Sequence, residues 1–248
     1  MLDITAAMVT IDRSPVDNYL SDTLHGLVQS DLLTSTRLRE LIVYDSEPDN
    51  WAKGVVSLNS DLRKVGVLTP CHTFVSNENV AEALRRSGQR SNQWVLFLED
   101  DIAVCAEFFS SVGAWLDEYA TDECKVFSFG ASYQQIEQCI ADGQGAWRYP
   151  VGAFYGTQCF AMRGADAVDL SAYLINHCYD RESNGTEYDL LMQDWAIECG
   201  EDNFLASCPS FVQHVGGQSV IRPRDNVHTF ASWPGTAWSY TQQEVRHA

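Results

Sequence analysis

The sequence is poor in basic residues and lacks a long apolar run. Lys and Arg number 16 against 34 Asp and Glu, and the formal net charge is -18 over 248 residues. This charge opposes unaided binding to nucleic-acid phosphates or anionic membranes, although a local basic patch remains compatible with it. No segment approaches the roughly 20 apolar residues of a membrane-spanning helix, so we expect no membrane partner.

The cysteines lack the spacing of a metal-binding finger. Eight cysteines are present, but no two of them form a CxxC pair. The first residues also lack the charged and then apolar pattern of a secretory signal. We therefore expect reduced thiols and a cytoplasmic location, since disulfides form in oxidising compartments.

The composition excludes a disordered chain and fits one globular domain. Hydrophobic residues make up 45% of the chain and aromatic residues 11%. A chain with this apolar content can bury a substantial core, and its length fits a single α/β domain. No internal repeat or low-complexity tract divides it.

Strand and helix patterns alternate along the chain, which is typical of an α/β fold with a mainly parallel sheet. Strands are predicted at 3–11, 39–44, 65–68, 94–98, 126–129 and 154–162. Helices are predicted from residue 19 onward and at 77–87, 106–119, 165–177 and 188–199. The stretch after Pro209 is rich in Gly, Trp and Pro, which predicts irregular structure.

The strand at 94–98 ends in three adjacent carboxylates, Glu99, Asp100 and Asp101. Its five apolar residues predict a central strand, and ligands of open α/β sheets bind at the carboxyl ends of such strands. Three neighbouring carboxylates repel one another unless a cation lies among them. A divalent ion with oxygen ligands is therefore predicted here, and a solvated acidic turn is the alternative.

The alternation of side chains along a strand separates these acids. Glu99 and Asp101 are expected on one side, as metal ligands, and Asp100 on the other. His214 lies in an apolar segment that ends in two glycines, and its imidazole could complete the site or be a structural residue. A site with carboxylate and imidazole ligands suits Mn²⁺ better than Mg²⁺.

The loops after the first two strands contain candidate donor-binding residues. Thr10 and Arg13 lie between a strand and a helix start, where backbone N–H groups and an arginine can hold a diphosphate. Asp45 ends the second strand, a position where nucleotide-binding folds often keep an acid for a ribose or base. Arg13 could instead be an arginine on a polar loop, and Asp45 a turn-forming aspartate ahead of Pro48.

The helix predicted at 188–199 opens with acidic residues. Asp189 in its first turn is favoured as an anion by the helix dipole and could act as a general base, or it could only cap the helix. Asp194 lies about 140° further around the helix, towards Leu190, Leu191 and Ile197, and is expected to point inward. At most one of the two aspartates is expected to be the base.

Two of these motifs resemble a known family. The segment 98–102 reads Leu-Glu-Asp-Asp-Ile and resembles the DXD-type motif of nucleotide-sugar glycosyltransferases with the GT-A fold. It is especially similar to the N-acetylglucosaminyltransferase IV family and to the lipopolysaccharide and collagen glycosyltransferases. The segment 209–216 resembles the Pro-Ser-Leu-x-Gln-His-Ile-Gly motif of the transferase IV group. The acidic helix at 189–191 looks like the acceptor-helix motif that often supplies the base in inverting members.

The resemblance implies a single GT-A (Rossmann-like) domain, with a mixed, mainly parallel sheet flanked by helices. Residues 1–102 would bind a nucleotide sugar, with a UDP-sugar as the expected donor, and residues 103–221 would bind the acceptor. Residues 222–248 would form a lid or a static strap, in which Trp233 or Trp238 covers a sugar.

The resemblance also implies roles for the acidic residues and the histidine. Asp101 would be a direct ligand of a metal that bridges the donor diphosphate. Glu99 would contact the metal or the ribose, and His214 would be a second ligand or a phosphate contact. The chain departs from the family in reading Asp12-Arg13 for the usual Pro-Arg, and in lacking a membrane anchor and stem. A bacterial or viral enzyme is therefore implied.

The acceptor stays open between a glycan, a protein, a lipid precursor and a modified DNA. Inverting transfer is expected, although the residues do not exclude retention. A bacteriophage-type enzyme acting on hydroxymethylated DNA bases would need a basic groove, for which the candidates are Arg85, Arg86, Arg90, Arg222 and Arg224.

Two functions outside sugar transfer also fit the residues. A metal-dependent nucleotidyltransferase or phosphohydrolase likewise uses clustered carboxylates at strand ends, but it usually needs a further acidic pair for a second ion. A carbohydrate-binding module without catalysis could use the aromatic segment 230–240 to stack on sugars. A response to nucleotide and metal together would distinguish a transferase from such a module.

Overall fold

The computed structural model describes residues 4–11, 19–49, 51–58, 60–62, 65–70, 76–91, 93–130, 134–154, 157–177 and 188–215. The predicted phosphate contact Arg13 lies outside these residues. So do Arg222, Arg224 and the whole predicted lid or strap at 222–248.

The described residues form ten strands and seven α-helices. The strands are β1 (Ile4–Thr10), β2 (Leu38–Asp45), β3 (Val65–Leu68), β4 (Trp94–Glu99), β5 (Ile102–Val104), β6 (Phe127–Ser128), β7 (Ala146–Pro150), β8 (Cys159–Arg163), β9 (Asn203–Ser207) and β10 (Val212–His214). The helices are α1 (Tyr19–Ser30), α2 (Trp51–Ser57), α3 (Ser76–Arg90), α4 (Phe108–Tyr119), α5 (Gln134–Ala141), α6 (Gly164–His177) and α7 (Tyr188–Glu198).

Eight of the strands form one mixed sheet in the order β3-β2-β1-β4-β8-β6-β9-β7. The first four strands in this order run parallel, and β8 is antiparallel to both β4 and β6. Strand β9 is parallel to β6, and the edge strand β7 is antiparallel to β9. Strands β5 and β10 form a separate antiparallel ribbon. The predicted GT-A fold class, a single domain with a mainly parallel sheet, is confirmed.

The pleat of the sheet divides the core into two apolar layers. In β4, Val95 and Phe97 face the layer that contains α3, α6 and α7, while Leu96 and Leu98 face the layer of α1, α2 and α4. Both faces of β4 are therefore covered, which explains its uninterrupted apolar sequence. The strand buries its length and exposes only its carboxyl end to the polar site.

Several elements differ from their predicted positions. Helices α2 and α5 and strands β5, β7, β9 and β10 were not predicted, and β8 begins at Cys159 rather than at residue 154. The irregular structure predicted after Pro209 is wrong for β10, which pairs with β5 through the register Val212↔Val104. Such short strands have too few residues to show a clear alternation of apolar and polar side chains. Their formation depends on pairing with strands that are distant in the sequence.

Helices α3 and α6 pack closely at a pair of glycines. A Cβ atom placed on Gly88 would lie 2.6 Å from the carbonyl oxygen of Gly164 and 2.9 Å from a methyl group of Val168. We expect Gly88→Ala to lower the free energy of unfolding by about 1–3 kcal/mol, because the two helix backbones must separate. Urea unfolding followed by circular dichroism measures this change.

Gly26 in α1 provides the matched control, since a Cβ atom there has no neighbour within 4 Å. Gly26→Ala is expected to stabilise the protein by roughly 0.5–1 kcal/mol through helix propensity. A Gly88→Ala variant as stable as Gly26→Ala would contradict the close packing of α3 on α6.

Candidate metal centre

The carboxyl ends of three parallel strands meet at one edge of the sheet. The register of β1 pairs Thr10 with Asp45 of β2, and Val9 with Glu99 of β4. Three of the residues predicted for the site, Thr10, Asp45 and Glu99, therefore lie at the same edge. This is the edge at which α/β folds bind their ligands.

A threonine of α1 holds the acidic turn that follows β4. The hydroxyl of Thr23 lies 2.7 Å from the carbonyl oxygen of Asp100 and 2.8 Å from that of Ile102. It also accepts a hydrogen bond of 3.2 Å from the backbone N–H of Ile102. The turn is thus fixed against α1 on both sides, which sets the directions of its carboxylates.

The ribbon of β5 and β10 brings His214 to the same turn. His214 pairs with Ile102, and the backbone N–H of Val215 donates to the carbonyl oxygen of Asp101 at 2.8 Å. The imidazole Nε2 of His214 then lies 3.1 Å from Oδ2 of Asp101. Backbone pairing therefore places the imidazole beside the carboxylate.

Glu99, Asp101 and His214 form a cluster of potential metal ligands. Their donor atoms all lie within 4.8 Å of one another. Asp100 points to the other side, where its Oδ2 accepts a 2.5 Å hydrogen bond from the hydroxyl of Thr10. As predicted, Asp100 points away from the side that Glu99 and Asp101 share.

The electrostatics of the cluster fit a bound cation. Glu99 is partly buried, and this burial, followed by the nearby charge of Asp101, raises the pKa of its carboxyl to about 7. The hydrogen bond from Tyr188 and the proximity of His214 act in the opposite direction on this pKa. Two carboxylates and an imidazole are ligands that Mn²⁺ accepts, and a divalent ion would remove the repulsion between the acids.

The raised pKa of Glu99 predicts a pH-dependent response to metal. Between the ordinary value of 4.5 and about 7, the folded metal-free protein binds more protons at Glu99 than the unfolded chain. This group therefore destabilises the fold as pH rises through that window, whereas a bound ion would hold the carboxylate ionised. We expect the rise in melting temperature caused by Mn²⁺ over EDTA to grow with pH and level off above about 7.

Thermal unfolding at a series of pH values with Mn²⁺ or EDTA measures this response. Glu99→Gln removes the titrating carboxyl and is expected to reduce the dependence on pH of the Mn²⁺-induced rise in melting temperature. An Mn²⁺-induced shift of equal size at every pH would contradict the assignment of Glu99 as a ligand.

Asp45 at the end of β2 is engaged with the backbone. Its two carboxylate oxygens accept hydrogen bonds of 3.0 Å from the N–H groups of Glu47 and Ala52, which fixes the turn into α2. Burial raises the pKa of this carboxyl, and these two hydrogen bonds oppose the rise. The turn-forming role left open by the sequence is observed, and contact with a ribose or base stays a prediction.

The start of α7 adjoins the metal cluster. Its first residue, Tyr188, donates a hydrogen bond to Oε1 of Glu99. The next residue, Asp189, is 8% exposed, and its Oδ1 accepts a hydrogen bond of 2.8 Å from the N–H of Leu190. Asp189 is therefore the acidic residue of α7 that is adjacent in sequence to Tyr188, which contacts the cluster.

Asp194 lies on a more open side of α7 than expected. It is partly buried, but two residues on its side of the helix are exposed, Leu190 by 42% and Ile197 by 56%. The third apolar neighbour, Leu191, is 2% exposed, so Asp194 lies at the border between the buried and the exposed side of α7. Its inward direction stays a prediction, because leucine and isoleucine are not buried at every position.

Two site residues, Thr23 and Tyr188, were not found from the sequence. Tyr188 lies between acidic residues in the stretch Glu187-Tyr188-Asp189, and a buried phenol needs a hydrogen-bond partner. That requirement was an available signal for Tyr188. No local signal marks Thr23, whose polar partners lie in the turn after β4.

Three of the five arginines proposed for a DNA-binding groove lie in the described residues, and all three are paired with acids. Arg85 and Arg86 both form ion pairs with Glu82 on α3. Arg90 pairs at 2.7 Å with Glu40, near the amino-terminal end of β2, which is the sheet edge opposite to the metal cluster. Within the described ranges, these three arginines therefore provide no basic groove beside the cluster.

No protein-family model and no curated protein sequence matches the chain. Solved structures do match its fold. The structure of Staphylococcus aureus TarS 1-349 in complex with UDP-GlcNAc is 13% identical, with a TM-score of 0.56 over 94% of this chain and 62% of TarS. TarS 1-349 in complex with UDP is 14% identical, with a TM-score of 0.54 over 84% of this chain and 58% of TarS.

A third structure, of S. aureus TarS, is 15% identical, with a TM-score of 0.54 over 88% of this chain and 37% of TarS. This chain thus spans less than two thirds of the TarS chains it matches. The similarity shows a shared fold, and the finer resemblance to the transferase IV, lipopolysaccharide and collagen families stays a prediction. In the part of the chain that the structure describes, no helix is both long and apolar enough to cross a membrane.

Proposed function

We propose that the protein is a metal-dependent glycosyltransferase that moves a sugar from a nucleotide-diphosphate donor to an acceptor hydroxyl. The observation that supports this most is the cluster of Glu99, Asp101 and His214 at the carboxyl edge of the sheet. Structures of TarS, which shares the fold, contain UDP or UDP-GlcNAc. A UDP-sugar is therefore our proposed donor.

The metal would be held by Asp101, Glu99 and His214. Its ligand set favours Mn²⁺ over Mg²⁺, because Mn²⁺ accepts nitrogen ligands as well as oxygen ligands. A divalent ion at this place would neutralise the charge that develops on a leaving diphosphate. Asp100 and Thr10, joined by their hydrogen bond, keep the end of β1 against the acidic turn and would lie beside the donor.

The acceptor hydroxyl needs a base if the sugar is transferred with inversion. We assign this role to Asp189, because its carboxyl follows directly on Tyr188, which contacts the metal cluster. The anionic form of Asp189 is favoured by the N-terminal end of α7. Asp194 is the second candidate, since it lies further along the helix, on a side where Leu190 and Ile197 are exposed.

The nature of the acceptor would follow from the second half of the chain, 103–221, and from 222–248. We propose a glycan or protein acceptor ahead of modified DNA, since Arg85 and Arg86 are engaged with Glu82, and Arg90 is engaged with Glu40 away from the metal cluster. A cytoplasmic bacterial or viral setting belongs to the same proposal.

Thermal shift with UDP and Mn²⁺ tests the proposed function. A transferase should be stabilised by UDP with Mn²⁺, and much less by UDP with EDTA, because the proposed metal holds the diphosphate. A ligand at 100 times its Kd raises the free energy of unfolding by about 2.7 kcal/mol. A carbohydrate-binding module should ignore the nucleotide in both conditions. A screen of nucleotide sugars against glycan, protein and hydroxymethylated-DNA acceptors, read by mass spectrometry, then identifies the transferred sugar and the acceptor.

A further inference from the structure

The phenol of Tyr188 joins α7 to the end of β4 at the metal cluster. It donates a hydrogen bond to Oε1 of Glu99, and the two residues are 89 positions apart in the chain. Tyr188 is 8% exposed, and its ring centroid lies 5.9 Å from that of Phe97 in β4. Packing against the strand therefore holds the phenol in place beside the Glu99 carboxylate.

A second hydroxyl contacts the phenol of Tyr188. Thr157, which is also buried, forms a side-chain hydrogen bond with Tyr188. Because the single phenol hydrogen goes to Glu99, the Thr157 hydroxyl must donate to the phenol oxygen. The chain of hydrogen bonds thus runs from Thr157 to Tyr188 to Glu99, and the Tyr188 hydroxyl donates to one oxygen of the Glu99 carboxylate.

This arrangement limits what Glu99 can do. A glutamate side chain has several rotatable bonds, and a donor on Oε1 fixes the plane of its carboxylate. The other oxygen, Oε2, is then the one available to an ion shared with Asp101 and His214. Mutation of a residue that hydrogen-bonds to a metal ligand typically lowers the metal affinity by roughly 10- to 100-fold.

We propose, on the basis of the metal site proposed above, that Tyr188 is a positioning residue that orients the Glu99 carboxylate towards the ion. Its place at the start of α7 also ties that helix, and with it Asp189, to the metal centre. Tyr188 acts through Glu99 and does not itself contact the ion.

The test is the affinity of Tyr188→Phe for Mn²⁺ alone, measured from the electron paramagnetic resonance signal of unbound Mn²⁺. The variant keeps the ring that packs on Phe97 and loses the donor to Glu99. We expect its Kd for Mn²⁺ to be at least about 10-fold higher than that of the wild type. Thr157→Val should weaken Mn²⁺ binding in the same direction and by less, because the phenol remains.

Tyr44→Phe is the matched control. Tyr44 is buried, and its hydroxyl hydrogen-bonds at 2.9 Å to that of Ser87 on α3, away from the cluster. Tyr44→Phe should lose about as much stability in EDTA as Tyr188→Phe does, and it should keep the wild-type affinity for Mn²⁺. A merely structural Tyr188 would behave as Tyr44 does.

The outcomes separate the two proposals. Wild-type Mn²⁺ affinity in Tyr188→Phe, or equal weakening in Tyr188→Phe and Tyr44→Phe, overturns the positioning role and leaves the metal site standing. A wild-type protein that binds no Mn²⁺ overturns the metal site and the positioning role together. A Tyr188→Phe variant that does not fold moves the decision to Thr157→Val, for which unchanged affinity overturns the role.

Discussion

Asp101→Ala is expected to abolish Mn²⁺ binding and to reduce sugar transfer by roughly 1,000-fold or more. Asp101 is buried beside His214, and its Oδ2 lies 3.1 Å from the imidazole. The variant removes a direct ligand, and metal ions commonly contribute several kcal/mol of charge stabilisation to such reactions. The fold should survive, because the hydrogen bond from Val215 is accepted by the backbone carbonyl of Asp101, which alanine keeps.

Titration of Mn²⁺ into the protein by calorimetry, together with a transfer assay, measures both effects. Asp100→Asn is the control, since Asp100 points away from the cluster and bonds to Thr10. It should keep Mn²⁺ binding while the neighbouring Asp101→Ala loses it. Unchanged dependence of transfer on metal in Asp101→Ala would refute the assigned site.

Asp189→Asn is expected to keep donor and metal binding while turnover falls by roughly 100- to 10,000-fold. An amide cannot accept the proton of the acceptor hydroxyl. Its side-chain oxygen can still accept the hydrogen bond that Oδ1 of Asp189 takes from the N–H of Leu190, so the first turn of α7 should persist. The expected change is therefore in turnover, with little change in stability.

Steady-state kinetics with thermal shift in UDP and Mn²⁺ separates these effects. Asp194→Asn is the comparison, because it makes the same chemical change on the same helix. It should retain turnover within a few-fold of the wild type. The reverse result, with turnover lost in Asp194→Asn and kept in Asp189→Asn, would make Asp194 the base and leave Asp189 with a structural role.

Local patterns were enough to place the acidic half of the site. Five apolar residues before Glu99 predicted a strand covered on both faces, and β4 is such a strand. The alternation of side chains then separated Asp100 from Glu99 and Asp101. Both inferences depend only on residues adjacent in sequence, so the periodicity of a strand was sufficient.

Apolar spacing was less informative on α7. It predicted the helix and placed Leu190, Leu191 and Ile197 together on one buried side, whereas of these three only Leu191 is buried. Which side of a helix is covered depends on the neighbours that pack on it, and for α7 these include α6, α3 and the short 3-10 helix Val151–Ala153. A single sequence does not contain that choice.

The amino-acid sequence by itself determined the α/β fold class, the central strand β4 and the acidic residues at its carboxyl end. The tertiary structure decided which other residues join them. His214 lies 113 positions from Asp101 and reaches it through the pairing of β10 with β5, and Tyr188 reaches Glu99 from α7. These contacts depend on how separate elements pack, because short strands and single hydroxyls carry no periodic signal of their partners.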